Sequence, residues 1–369
     1  MSAVSLMSFM RRWTVWVPLA AVVALVLSWG RHLSPLAVVV VALCLAGAVL
    51  AAVHHAEVVA HRVGEPFGSL VLAVAVTVIE VALIVTLMVD GGAKSATLAR
   101  DTVFAAVMIT CNGIVGLSLL VAALRHRVAV FNAEGSGAAL ATVATLATMS
   151  LVLPTFTTSK PGPEFSTAQL TFAAIASLGL YALFVAVQTV RHREYFLSVT
   201  HDGELKDEEA ANRAGSPTRA AAITSLVLLL VALVAVVGDA KAVSPTIESG
   251  VESAGMPHSV VGVVIALLVL LPETLAAVRA ARRERVQTSL NLALGSAMAS
   301  IGLTIPVIAL ATIWLEGPLV LGLGATHMVL LALTVVTGAL TIVPGRATPL
   351  QGGVHLAILA AFVFLAVSP

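Results

Sequence analysis

The sequence predicts an all-α polytopic membrane protein of about eleven transmembrane helices, one N-terminal helix followed by two inverted five-helix repeats. Of its 369 residues, 59% are hydrophobic and only 11% charged, too few polar groups to cover a water-soluble exterior. The apolar residues fall in runs of roughly 17 to 25, the length that crosses hydrocarbon as a helix able to satisfy its own backbone. Two glutamates, Glu80 and Glu273, lie inside such runs, one in each half of the chain.

The first run, Thr14–Trp29, follows Arg11 and Arg12. Lacking a clean small-residue cleavage site and followed by ten more spans, it reads as a retained helix, peripheral to the rest and held within residues 1–35. Leu36–Val59, Gly68–Val89, Thr102–Leu124, Ala138–Pro154 and Ala168–Val190 form the first repeat, residues 36–190. A linker, residues 191–219, carries the acidic run Asp202-Gly-Glu-Leu-Lys-Asp-Glu-Glu209. It reads as a solvated charge run, with a cation-sensing segment as the other reading. Ala220–Gly238, Ser259–Val278, Thr288–Ile313, Leu319–Ile342 and Leu350–Val367 form the second repeat, residues 220–369.

Orientation follows from Lys and Arg, which are depleted in translocated loops. With the N-terminus inside, fifteen of the twenty fall on the cytoplasmic side, and Arg31, Lys94, Arg100, Lys160 and Lys241 fall outside. The expected protein sits in the cell inner membrane with N-terminus cytoplasmic, C-terminus outside and the linker cytoplasmic. A net charge of +1 and the lack of a basic stripe with interleaved aromatics exclude nucleic acid as a partner. The expected partners are the bilayer and inorganic ions. Cys44 and Cys111 lie inside apolar runs and read as small buried hydrophobes.

An ionised carboxylate at mid-bilayer costs roughly 2.5 to 3.5 kcal/mol even on insertion scales, so Glu80 and Glu273 need a reason to be there. Glu80 lies in a span that runs inside to outside, and Glu273 in one that runs the opposite way. Inverted repeats place ion sites near the midplane where the halves meet, and rocking between them alternates access. The span after each acid is rich in small and polar residues. These are Thr110-Cys111-Asn112-Gly113 with Gly116 after Glu80, and Asn291, Gly295-Ser296-Ala297 and Ala299-Ser300 after Glu273. Small residues allow close helix approach, and the oxygens of Asn112, Ser296 and Ser300 are candidates to complete a coordination shell, with interhelical hydrogen bonding as the other reading. For Thr77, Thr274 and Asn291 packing is the preferred reading. Pro272 removes a helical hydrogen bond beside Glu273. Two carboxylates in a dry site are neutralised by one divalent ion or by two protons, so metal and protons compete for the pair. The purely structural alternative is two protonated glutamates bonded to neighbouring helices.

The stretch Glu57-Val-Val-Ala-His-Arg-Val-Gly64-Glu-Pro-Phe-Gly68-Ser-Leu, followed by Glu80, resembles the first alpha-repeat of the calcium/cation antiporter superfamily and its bacterial calcium/proton exchangers. Pro272-Glu273-Thr-Leu-Ala-Ala-Val, followed by Leu290-Asn-Leu-Ala-Leu-Gly-Ser-Ala, resembles the second. The resemblance spans nearly the whole chain and implies a secondary transporter, not an enzyme. The implied activity is exchange of a cation, calcium first, for protons, with Glu80 and Glu273 binding cation or protons in turn. No cofactor is implied; the ion is cargo. Many relatives carry a Gly-Asn pair just ahead of each glutamate, where this chain has Val76-Thr77 and Val269-Leu270. The leaner set of ligands opens sodium or potassium as the alternative cation, because calcium takes six to eight oxygens.

His54, Glu57 and His61 recur at i, i+3 and i+7 and so share a helical face near the inner end of the second span, with His55 and Glu65 nearby. They read as a proton path or cytoplasmic entry, as a metal site, or as interfacial packing. His258, His327 and His355 are assigned no role. Among other classes, an intramembrane metal-dependent hydrolase has no zinc-peptidase or Gly-x-Ser-x-Gly motif to support it. A passive channel would show a filter or a charged ring.

Overall fold

The structure, a computed structural model, describes residues 13–31, 33–63, 75, 77–86, 88, 96–199, 217–257, 259–314 and 317–368. Glu65, Gly64 to Leu70, Val76, His258 and the acidic run 202–209 lie outside the described residues.

Helices make up most of the described chain: α1 (Trp13–Ser28), α2 (Pro35–Val63), α3 (Thr77–Thr86), α4 (Leu98–His126), α5 (Ala133–Phe156), α6 (Thr167–Arg191), α7 (Arg219–Ser253), α8 (Ser259–Val269), α9 (Leu271–Arg282), α10 (Val286–Ala311), α11 (Ala325–Ile342) and α12 (Pro349–Val367). Among the described residues eight are long and apolar enough to cross a bilayer, and the bent pair α8–α9 makes a ninth. The two shorter apolar helices, α1 and α3, fall on the predicted first and third spans.

Three boundaries differ from the sequence reading. The seventh span was read to stop at Gly238, but α7 continues for 35 residues to Ser253. Gly-Asp-Ala-Lys resembles a turn in sequence, yet Gly238 packs against Leu25 and Asp239 is buried on the same stripe as Ala232, Val236 and Val243. The eighth span is two helices bent by 50° at Leu270. The tenth begins at Ala325 instead of Leu319. The residues just before it are not helical, with Val320, Gly322 and Leu323 donating to the carbonyls of Ala96, Pro163 and Leu151.

The chain forms two compact units, and each draws on both predicted repeats. The first is Met1–Leu87 with Arg213–Ala254, and the second is Met88–Asn212 with Gly255–Pro369. In the first unit α7 packs along α2 and α1, around Val38, Val41 and Val243. Pro18 inside α1 has no N–H to offer the carbonyl of Thr14. That carbonyl is instead bonded by Nε2 of buried His55 on α2 at 2.9 Å. A proline defect in one helix thereby becomes a tie to the next.

In the second unit α8 packs on the first half of α4, α9 and α12 on its second half, and α10 on α5 and α6. Close approach is set by glycines. A Cβ at Gly302 would lie 2.7 Å from Cβ of Tyr181, and one at Gly262 would lie 3.0 Å from the backbone nitrogen of Thr102. A two-residue antiparallel ribbon, β1 (Ala129–Val130) with β2 (Arg346–Ala347), ties the loop ahead of α5 to the loop ahead of α12. Apolar side chains on the outer faces, such as Leu226, Leu230 and Val234 of α7 and Leu333 and Leu340 of α11, are exposed, as suits helices whose solvent is lipid.

Candidate ion-binding site

In the first unit Glu80 lies in α3 and is 3% exposed, beside buried Thr77, Ile79 and Ile84. In the second unit Glu273 lies in the first turn of α9 and is 8% exposed. The break in front of it has a local cause. Pro272 sits at the start of α9, so its ring nitrogen has no hydrogen for the carbonyl of Leu268 four residues back. The chain turns at Leu270 (φ −86°, ψ 0°). The carbonyl of Leu270 is taken by the backbone N–H of Thr274 at 2.9 Å and by its hydroxyl at 2.7 Å. Thr274 therefore closes the turn. The positive end of the α9 dipole and the negative end of the α8 dipole meet at this bend, and a carboxylate in the first turn of α9 sits where the dipole favours negative charge.

α9 packs on α10, and both touch the π-helical turn Ile109–Ile114 in the middle of α4. Glu273, Asn112, Ser296 and Ser300 thus stand on elements that meet. Ser296 and Ser300 share one face of α10 a turn apart. Ser300 is buried and Ser296 half-buried, and the space beside Gly295 is open. Single π-turns inside helices are frequent at functional positions.

Asn112, fully buried in that turn, is held on both sides. Its Nδ2 donates to Thr334 Oγ1 at 2.9 Å, and its Oδ1 accepts from Nδ1 of His355 at 3.2 Å. Thr334 passes its own hydrogen to the carbonyl of Leu330 at 2.8 Å, and Nε2 of His355 meets Thr341 Oγ1 at 3.2 Å. With Nδ1 protonated and Nε2 accepting from Thr341, every donor in the chain faces an acceptor. The network staples α4, α11 and α12 together. Sequence reading assigned His355 no role as a histidine near a span end, and the structure makes it a buried hub. Asn112→Ala would break both bonds and lower unfolding stability by about 1–2 kcal/mol, with cation binding unchanged; thermal unfolding in detergent with and without cation checks this. An unchanged midpoint with weakened cation binding would place the amide in the ion shell.

Asn291 is likewise engaged, donating to the carbonyl of Phe196 at 2.7 Å and accepting from Gln287 at 2.9 Å. His54 and His61 are exposed and Glu57 is half-buried. His54 stands 6.4 Å from the ring of Trp13. Among the described residues no group of three or more His, Cys, Asp and Glu side chains is arranged to hold a metal ion. His327 packs on Phe104 at 4.8 Å and on Phe362. Arg100 and Asp101 form an ion pair at 2.8 Å near the start of α4.

Residues 33–190 and 224–368 match the family described as sodium/calcium exchanger protein, so the match covers both predicted repeats. The chain belongs to this family. It is a member of the calcium/cation antiporter superfamily, and hence a multi-pass membrane protein of ion transport. It is 48% identical over 326 residues to y4hA of Sinorhizobium fredii (strain NBRC 101917 / NGR234), named as an ionic transporter, covering 88% of this chain and 87% of that one. It is 34% identical over 349 residues to the sodium-potassium/proton antiporter ChaA of Escherichia coli (strain K12), covering 94% and 93%. Its fold is similar to that of the H+/Ca2+ exchanger CAX, with a TM-score of 0.67 at 15% identity over 97% of this chain and 92% of that one.

A fully buried acid without a hydrogen-bond partner among the described residues escaped the sequence reading of this exchanger-family chain. Asp239 is fully buried in α7. The periodicity of Ala232, Val236, Asp239 and Val243 was the available signal, masked by a neighbouring Gly and Lys that suggested a loop.

Proposed function

We propose that this protein is a secondary active cation/proton antiporter of the inner membrane, exchanging Ca2+ for H+ by alternating access, with Glu80 and Glu273 binding cation or protons in turn. What supports the reading is that family membership spans both halves of the chain, each of which supplies one buried acid. Neither acid is stable bare in a dry site, and one Ca2+ or two protons neutralises both. Exchange then follows from charge balance. Ser296 and Ser300 are the oxygen donors on α10 that complete the shell. His54, Glu57, His61 and Glu65 supply the proton's way in from the cytoplasmic side, and the chain runs N-terminus inside to C-terminus outside.

A second reading, Na+/H+ or K+/H+ exchange on the same scaffold, is favoured by the 34% identity to ChaA, a sodium-potassium/proton antiporter, and by Thr77 and Leu270 standing where the resemblance to the superfamily implies an amide. Proton-gradient-driven flux of Ca2+, Na+ and K+ in everted vesicles decides between them. Calcium flux with a proton-to-calcium ratio of two is the expected result. A ratio near one would exclude the paired-acid scheme, and flux of only the monovalent ions would replace the cation while keeping the exchanger.

A further inference from the structure

The first unit holds an acid that the exchange scheme does not use. Asp239 lies on the buried stripe of α7 between Val236 and Val243, is fully buried, and among the described residues neither carboxylate oxygen has a hydrogen-bond partner. Among the described residues, α1 and α2 pack along this helix. Between Thr14 and Ser28, α1 offers no titratable group, and it meets the neighbouring Gly238 through Leu25. On α2 the half-buried thiol of Cys44 lies within electrostatic reach of the carboxyl; His54, His55, Glu57, His61 and Arg62 stand nearer the C-terminal end of α2. On α7 itself, Lys241 is exposed, two residues and about 200° around the helix away, and Glu248 accepts from Ser244.

A divalent ion needs several oxygens, and among the described residues this site offers one carboxyl in an apolar wall. A proton needs only that carboxyl. An ionised carboxylate buried among apolar side chains without a hydrogen-bond partner is heavily penalised, so burial favours the acid form in the packed helix.

We infer that Asp239 is a proton-binding site separate from Glu80 and Glu273, holding its proton while α7 is packed on α1 and α2 and releasing it when that face opens to water. On release the carboxyl O–H bond breaks, the electron pair stays on the carboxylate and the proton passes to water; repacking reverses the step. Proton binding and helix packing are then linked, so a low proton concentration favours the opened face.

The site itself is independent of the exchanger reading, and only its part in a transport cycle rests on that reading. Infrared spectroscopy at neutral pH on the purified chain in lipid nanodiscs tests it, in a Glu80→Gln/Glu273→Gln background that removes the other two acids. The carbonyl stretch of one protonated carboxyl, shifted by D2O, should vanish in Asp239→Asn. If that variant does not assemble, Asp239→Leu, which suits an apolar stripe, gives the same comparison. An unchanged protonated-carboxyl region, with loss instead from the carboxylate region, overturns the proposal. In proteoliposomes of the otherwise native chain, Asp239→Asn should flatten the pH profile of flux; a superimposable profile overturns the link between protonation and opening. Absence of any flux from the native chain would count against the exchanger reading, while the infrared comparison still decides the proton site.

Discussion

Replacing either Glu80 or Glu273 by glutamine is expected to abolish proton-coupled cation flux, down to the level of vesicles without the protein. Glutamine has the shape of the protonated acid but carries no charge at any pH, so each variant resembles one half of the pair fixed in its proton-bound form. Both acids are nearly excluded from solvent, where leaving one member of a buried ion pair without its partner costs about 3–5 kcal/mol. That corresponds to roughly two to four powers of ten in cation affinity. The loss should therefore appear in calcium/calcium exchange, followed with an isotope in the absence of a pH gradient, as well as in proton-driven uptake. This second measurement separates the roles. An acid that serves only a proton path would leave calcium/calcium exchange intact, and that result for either variant would remove it from the cation shell. Aspartate at the same positions keeps the charge and shortens the reach, so Glu80→Asp and Glu273→Asp should retain measurable exchange at reduced affinity.

The second large effect lies away from the acids, at the crossing of α4 and α12. Gly116 and Gly352 face one another there with no room for a methyl group. A Cβ on Gly352 would fall 2.6 Å from the backbone nitrogen of Leu120 and 2.9 Å from the carbonyl oxygen of Gly116, and one on Gly116 would fall 2.8 Å from Cβ of His355. These are mostly backbone contacts, so no side chain can rotate away and the helices must separate. Gly352→Ala is expected to lose about 3 kcal/mol of stability, the upper end of ordinary overpacking, and to loosen the network of His355, Asn112 and Thr334 carried across the same crossing. Gly353 is the internal control. Its added Cβ would meet nothing within 4 Å, so Gly353→Ala should be neutral or stabilising by up to about 1 kcal/mol through helix propensity. Thermal unfolding in detergent reads both, and equal midpoints for the two variants would sink the packing argument.

Adjacent glycines with opposite expectations mark the limit of what could be read before the structure. The apolar runs were legible because a membrane span is a local property: length and hydropathy decide it within some twenty residues, and no distant partner is needed. Thus α2, α4, α5, α6, α10 and α12 lie where their runs predicted. Boundaries failed where a local signal had a tertiary answer, as at Gly238, whose missing side chain admits Leu25 and does not end the helix.

The two acids were legible for the same reason, since a lone glutamate in an apolar run is conspicuous without knowing what surrounds it. Candidate ligands were less so. Asn112 reads equally as an ion donor or as a helix tie, and the groups its amide meets, Thr334, 222 residues away, and His355, 243 residues away, lie beyond any local window. His55 and the Thr14 carbonyl that Pro18 leaves open are 41 residues apart. By itself the sequence determined that this chain spans the membrane many times and carries an acid in each half, because those features follow from local solvation. Only the tertiary structure decided which polar groups are satisfied, which glycines hold helices together and that Asp239 lies in the apolar packing of α7, because hydrogen bonds and close contacts join residues that no local pattern relates.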